Sequence, residues 1–372
     1  MKAIGIILAG GNNNRMKELT AKRAVPALPV AGSFRSIDFA LSSMSNSHIQ
    51  TVAVLTQYNA RSLNEHLSSS KWWNFGRKQG GLFLFTPTVT ADNSDWYRGT
   101  ADAMYQNIDF LKRRHEPYVI ISSGDCGYKL DFNRVLDFHI EKKSDITVVC
   151  KDMMYNDDVS RFGVVRMDDE SRITEFDEKP IEALSNTIST GIYVIRRRQL
   201  IELLEAAAEE NRFDFVNDIL VRYKNVKKIY GYKINSYWNN IADIDAYFKT
   251  NMDFLRPDVR SYFFREEPTI CSKVDDLPPA KFNPGSDISN SLVSSGCIIN
   301  GSVEDSVLFK QVFVGKNTTV KNCVILNDVY IGDNVHLENC IVESRGTINP
   351  NTCYCGEDGV MIVKEKNVRY VI

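Results

Sequence analysis

The strongest constraint on the fold of this 372-residue chain lies toward its C-terminal end, where the sequence repeats itself. Val303-Glu-Asp-Ser-Val-Leu, Val320-Lys-Asn-Cys-Val-Ile and Leu337-Glu-Asn-Cys-Ile-Val stand 17 residues apart, and Cys297, Val314 and Ile331 recur at the same interval. Ile288-Ser-Asn-Ser-Leu-Val is an earlier, slightly shortened copy. Apolar residues also return after six, as in Val314 and Val320 or Ile331 and Leu337, with Gly315 and Gly332 following the first of each pair. One copy of such a hexapeptide rhythm cannot bury its apolar face. Coils of roughly three short strands, stacked so that inward residues of one rest on the next, can. Residues 286–372 are therefore expected to form a left-handed parallel β-helix.

Modules of this kind act as structural or oligomerising props, or as acyltransferases. Acyl transfer needs a catalytic base, normally histidine, and His336 is the only one in the module, facing outward between Val335 and Leu337. A prop is the expected role. Cys353-x-Cys355 lacks the second pair and the histidines of a zinc motif, so the eight cysteines are expected to be reduced thiols, mostly small core residues.

The N-terminal stretch Ala3–Val30 constrains the rest. It opens with an apolar strand, Ile4–Ala9, breaks at Gly10-Gly11, and passes through Asn12, Asn13 and Asn14 into the helical-looking Arg15–Thr20. A short strand ending on glycine before a helix presents backbone N–H groups to phosphate. Asparagine tolerates the turn but fills the space that glycine leaves open. An ordinary strand-to-helix turn is the competing reading.

A net charge of -2 argues against general nucleic-acid or anionic-membrane binding, so any phosphate recognition is local. No apolar run is long enough to span a bilayer, and the first one lacks a small-residue cleavage pattern, which points to the cytoplasm.

From Ile37 onward strands and helices alternate. Ile37–Asn46, Thr100–Arg113, Phe132–Lys142, Arg198–Glu210 and Ile244–Phe254 read as helices. Val52–Thr56, Tyr118–Ser122, Asp145–Cys150, Gly163–Met167, Ile173–Phe176, Thr190–Ile195 and Lys227–Lys233 read as strands. This is the rhythm of an α/β domain with a mostly parallel, Rossmann-like sheet, expected over residues 1–255. Residues 256–285 hold Pro257, Pro268, Pro278, Pro279 and Pro284 and read as a linker.

Taken in order, the pieces GG-xxx-RM-xx-LT-xx-RA-x-P, FRSIDFALSS-x-x-NS, LTQY, YRGTADAMYQN, SGD-x-x-Y-x-LDF, EKP and STGIYV, followed by hexapeptide coils, resemble bacterial ADP-glucose pyrophosphorylases, the glucose-1-phosphate adenylyltransferases. In detail the chain resembles the GlgD-type subunit, partner of the catalytic GlgC-type subunit in glycogen synthesis. That family joins glucose 1-phosphate to the α-phosphate of ATP and releases pyrophosphate, chemistry that rests on alignment and charge neutralisation.

The resemblance implies a nucleotide loop at Gly10, Gly11 and Arg15 with Gln57, Gly99 and Thr100, but Asn13 and Asn14 replace the family's Gly and Thr. Its RAKP reads Arg23-Ala24-Val25-Pro26, so Val25 stands for a phosphate-binding lysine. Asp125 matches the first Mg²⁺ carboxylate, whereas Asn240 replaces the second, with Asp243 a remote substitute. Glu178, Lys179, Ser189 and Asp102 match the sugar-phosphate side. Taken alone, the Gly99–Asp102 stretch is equally a helix N-cap, and Glu178-Lys179 a solvated turn before Pro180.

Losses at loop, lysine and metal position imply a catalytically impaired regulatory subunit in a heterotetramer with the GlgC-type subunit. Mg²⁺ is then held by that catalytic partner and by no site of this chain alone, and glucose 1-phosphate or a phosphorylated effector is the remaining ligand. An active adenylyltransferase with an altered loop and metal site is the first alternative. A stand-alone sugar-phosphate sensor is the second.

Overall fold

A computed structural model describes residues 2–11, 14–76, 80–89, 95–154 and 157–365. Its larger sheet has nine strands: β1 (Ala3–Ala9), β2 (Thr51–Thr56), β3 (Gly81–Phe85), β4 (Tyr118–Ser123), β5 (Ile146–Asp152), β6 (Gly163–Met167), β7 (Ile173–Glu178), β8 (Thr187–Arg196) and β9 (Ile229–Lys233). The order is β7-β6-β8-β4-β1-β2-β3, with β5 also pairing β8 and β9 pairing β5. Strands β4, β1, β2 and β3 run parallel, and β8 joins β4 antiparallel. β1 and β2 are covered on both faces, as uninterrupted apolar runs require. The parallel part of the sheet is thus the frame on which loops at the strand ends are mounted.

Two expected helices take a different form. Asn14–Thr20 consists of 3₁₀ turns broken at Lys17, whose φ is +45°, because Met16 and Leu19 are both drawn fully into the core. Thr100–Arg113 is two helices, Thr100–Tyr105 and Ile108–Lys112. Asn107 interrupts them, its Nδ2 donating to the Ala103 carbonyl (2.8 Å) and to the Tyr97 hydroxyl (2.9 Å). No helix among the described residues is long and apolar enough to cross a membrane.

The repeat region folds into three five-stranded parallel sheets, the faces of a parallel β-helix consistent with left-handed coiling. Val303, Val320, Leu337 and Tyr354 stack in one register, and Val307, Val324 and Ile341 in another, so the 17-residue spacing is the length of one coil. The shortened first copy pairs Ile288 with Val303, a 15-residue step. Coil corners sit in the left-handed region at Asn317, Asn322, Asn334, Asn339 and Asn351. Asparagine accepts that conformation and adds amide bonds between coils, as Asn334 does to Asn351 at 3.0 Å.

Within the expected linker, Pro257–Phe264 is an α-helix, with proline at its first turn where the missing N–H costs nothing. Phe263 there, Phe254, which ends the preceding helix Ile244–Asp253, and Phe39 meet ring to ring and belong to one buried apolar cluster with Val307, Phe309 and Leu326 of the coils. One apolar core therefore spans both parts. Arg23 forms an ion pair with Glu343 across the same junction, and Ser294 Oγ donates to the Gly32 carbonyl at 2.9 Å.

A buried imidazole makes this fold sensitive to acid. His139 ends the helix Phe132–Glu141, bonded through Nδ1 to Thr147 Oγ1 at 2.9 Å, while its buried Nε2 meets no partner among the described residues. Burial, reinforced by the Arg196 charge and opposed by Asp145, pushes its pKa down from 6.5 to about 4. The unfolded chain takes the proton first, so this contribution is whole above about pH 6.5 and is lost as the pH falls toward 4. That gap is worth about 3 kcal/mol. Urea midpoints of the protein are expected to fall over this window, and those of His139→Gln to fall less; equal slopes would remove His139 from the account.

Candidate active site

A cleft of about 510 Å³ opens at the carboxyl ends of β1, β2 and β4, the edge where open α/β sheets place ligands. Gly10, Gly11, Gln57, Tyr97, Thr100 and Asp125 are among its lining residues. A Cβ on Gly10 would lie 3.3 Å from the Gln57 backbone nitrogen, so the chain turns tightly between β1 and the end of β2. Gln57 uses both ends of its amide on Tyr97, accepting from its N–H at 2.7 Å and donating to its carbonyl at 3.2 Å. Burial raises the pKa of the Tyr97 phenol, leaving it a neutral donor and acceptor at the cleft wall.

Asn12 and Asn13 lie outside the described residues. Asn14 begins the 3₁₀ segment. Arg15 is exposed, and its charge is among those that, after hydrogen bonds from Ser160, hold the Asp158 carboxyl low.

The far wall is built on glycine. A Cβ on Gly99 would stand 2.3 Å from the Phe213 carbonyl, which instead accepts the Ala101 N–H at 2.8 Å. Thr100 Oγ1 accepts from the Phe215 N–H at 2.8 Å. Asp102 is 2% exposed, and its oxygens receive the Arg98 N–H, the Arg98 guanidinium and the Gln106 amide, each at 2.9 Å. Its carboxylate is spent on holding the Tyr97–Thr100 loop. The Arg98 guanidinium also lies over the Phe213 ring at 3.9 Å.

At the opposite end Asp125 follows β4. Strand pairing of Cys126–Tyr128 with Trp238–Asn240 sets Asn240 opposite Cys126 and thus beside Asp125. Asn240 Nδ2 is 3.4 Å from Asp125 Oδ1, and Ser123 Oγ also donates to that oxygen. Asp243 is committed elsewhere, capping its helix by accepting the Ala246 N–H at 2.8 Å and pairing with Arg161. The donor set is one carboxylate and one amide whose N–H₂ is turned onto that carboxylate, which does not fit a two-carboxylate Mg²⁺ site.

Val25 forms part of the cleft wall and is 4% exposed, packed in the core that joins the two domains. Among the described lining residues the single cationic side chain is Arg98, already bound to Asp102. Arg23 points into the domain junction toward Glu343 and Ser344.

Glu178, Lys179 and Ser189 line no part of that cleft. Glu178 Oε1 pairs with Lys179 Nζ at 3.0 Å, with the lysine largely exposed, and Lys179 holds a left-handed φ of +52° after β7. Ser189 Oγ is 3.3 Å from the Tyr193 hydroxyl. Burial, with the nearby Glu178 charge, raises the Tyr193 pKa. Tyr193 thus partners Ser189 through its hydroxyl, and sequence reading missed it because alternation marks it only as a strand residue. Phe213 was missed as well, being a loop residue whose ring and carbonyl work at a distance in sequence.

Sheet, glycine turn and cleft together define a domain of the nucleotidyl transferase class, and the nucleotidyl transferase family profile matches residues 4–256. A second profile, GlmU-like C-terminal hexapeptide, matches residues 278–362. Three glucose-1-phosphate adenylyltransferases show how far the likeness extends. That of Geobacillus stearothermophilus is 39% identical over 365 residues, covering 97% of this chain and 94% of its own. That of Clostridium novyi is 38% identical over 320 residues, 85% of this chain and 84% of its own, and that of Bacillus subtilis 36% over 322 residues, 86% and 84%. This chain belongs to the glucose-1-phosphate adenylyltransferase family.

Proposed function

We propose that the chain is a regulatory, catalytically impaired subunit of ADP-glucose pyrophosphorylase, assembling with a GlgC-type catalytic subunit into a heterotetramer in the cytoplasm. One observation carries the reading: the cleft wall offers Val25 where phosphate calls for a cation, and its one described cationic side chain is neutralised by Asp102. Attack on a triphosphate needs positive charge held in place before the transition state forms. Asn240 beside Asp125 supports the same reading, because it removes one of two negative charges that would hold Mg²⁺. Mg²⁺ then belongs to the catalytic partner. Glucose 1-phosphate or a phosphorylated effector is the ligand in keeping with Lys179, whose largely exposed ammonium pairs with Glu178 at 3.0 Å and is open to exchange that partner for a phosphate.

Regulation of this kind requires that the subunit bind the active and inactive states of its neighbour with different free energy. The alternative, an active adenylyltransferase working through an altered site, draws support from the identity to proteins of that name and from the retained 510 Å³ cleft. Pyrophosphate release from ATP, glucose 1-phosphate and Mg²⁺ separates the two. The chain alone is expected to be silent and to change the rate or effector response of the co-expressed pair. Turnover by the chain alone at ordinary enzyme rates, about 10 s⁻¹, would establish the alternative.

A further inference from the structure

Along the chain, Cys353-x-Cys355 has neither a second cysteine pair nor a histidine nearby. The coil register supplies one. The strand His336–Glu338 lies parallel to Cys353–Cys355, with His336 opposite Cys353 and Glu338 opposite Cys355. Alternation turns Leu337 and Tyr354 toward the coil core and the four polar or sulfur-bearing residues outward. A step of one coil therefore converts two dipeptide-spaced pairs into a square of imidazole, carboxylate and two thiols.

The distances suit a single small ion. Ligands at about 2.0–2.3 Å from a tetrahedral centre stand roughly 3.3–3.8 Å from one another. Cys353 Sγ and Cys355 Sγ are 3.6 Å apart, and His336 Nε2 and Glu338 Oε2 are also 3.6 Å apart. Ligand atoms of His336, Glu338 and Cys355 all fall within 4.8 Å of each other. Cys353, the exposed fourth member, lies outside that group of three and joins it by rotation of its side chain. Lys321 is next to Glu338 in the register but extends to Glu304, at 3.6 Å, on its other side.

We propose that His336, Glu338, Cys353 and Cys355 form a site for one zinc-class divalent cation on the outer face of the β-helix. Thiolates with imidazole favour zinc over the hard Mg²⁺ of nucleotide chemistry, and the thiols give up their protons on binding. None of the four residues lines the cleft, and the role proposed for the site is structural. Cys353–Cys355 is the last strand of its sheet, and an ion shared with the preceding coil ties that edge down.

The test uses the untagged, phosphine-reduced full chain titrated with Co²⁺, then with Zn²⁺ in competition. One equivalent of Co²⁺ is expected to give the visible bands and thiolate charge transfer of a tetrahedral site, and Zn²⁺ to bleach them. Cys355→Ser is expected to lose the charge-transfer intensity and His336→Gln to weaken binding, whereas Cys271→Ser, an exposed cysteine of the linker, leaves the spectrum unchanged. Absence of these bands in reduced protein, their survival in Cys355→Ser, or their loss in Cys271→Ser would each overturn the assignment. So would a Cys353–Cys355 disulfide that persists in the phosphine.

Discussion

Val25→Lys combined with Asn240→Asp is expected to give the chain pyrophosphate-releasing activity of its own, at least about a hundredfold above the unaltered protein. Val25 lies at the boundary between the domain junction and the cleft, so a lysine stem can follow the apolar wall and put its ammonium into the 510 Å³ space. Asn240 already stands within 3.4 Å of Asp125, and the substitution changes charge while leaving that geometry in place. Two facing carboxylates repel each other without a cation, so the variant should also melt lower in chelator and gain more from Mg²⁺ than the unaltered chain does. Asn13→Gly with Asn14→Thr is the natural addition if turnover is weak. A folded double variant that gains Mg²⁺-dependent stability yet releases no pyrophosphate would show that the chemical deficit lies outside these two positions.

How much of this was legible in advance depends on whether the signal is local. The 17-residue spacing of Val303, Val320 and Leu337 became the coil register directly, because parallel stacking converts sequence period into contact. The apolar run of β1 and the glycines after it likewise fixed the sheet centre and the cleft floor. Lys17 and Asn107 broke expected helices for tertiary reasons, one to bury Met16 and Leu19 and the other to serve Tyr97 and Ala103. Those partners are near in sequence, but apolar periodicity does not say which residues turn inward or which side-chain amide displaces a helical bond.

Site residues followed the same division. Asn240 reaches Asp125 across 115 positions, a proximity that only the family resemblance anticipated. Asp102 matched the sugar-phosphate side by resemblance, and its three internal bonds, which no spacing foretells, brace the loop beside it. Cys353 and Cys355 looked isolated because the histidine that accompanies them is one coil away rather than a few residues away. In a solenoid, spacing rules for metal motifs must be read across the register as well as along the chain.

Phe263→Ala is expected to cost about 3–5 kcal/mol and to uncouple the two halves of the molecule. Phe263 is fully buried and its ring meets Phe39, Tyr237 and Phe254, each with centroids 5.3 Å away. That cluster continues into Val307, Phe309 and Leu326 of the coils, so the cavity would open where the two domains share one core. The β-helix also draws stability from coil-on-coil stacking, which this cavity leaves in place. The α/β domain, deprived of its best aromatic contact with the junction, should therefore unfold first. All four tryptophans, Trp72, Trp73, Trp96 and Trp238, lie before the coils, so fluorescence follows the α/β domain while far-ultraviolet circular dichroism follows both. In the unaltered protein the two denaturation curves should coincide, and in Phe263→Ala the fluorescence transition should move to lower denaturant ahead of the dichroism. Coincident curves in the variant, shifted together, would mean that the junction transmits the loss and that the whole chain unfolds as one unit.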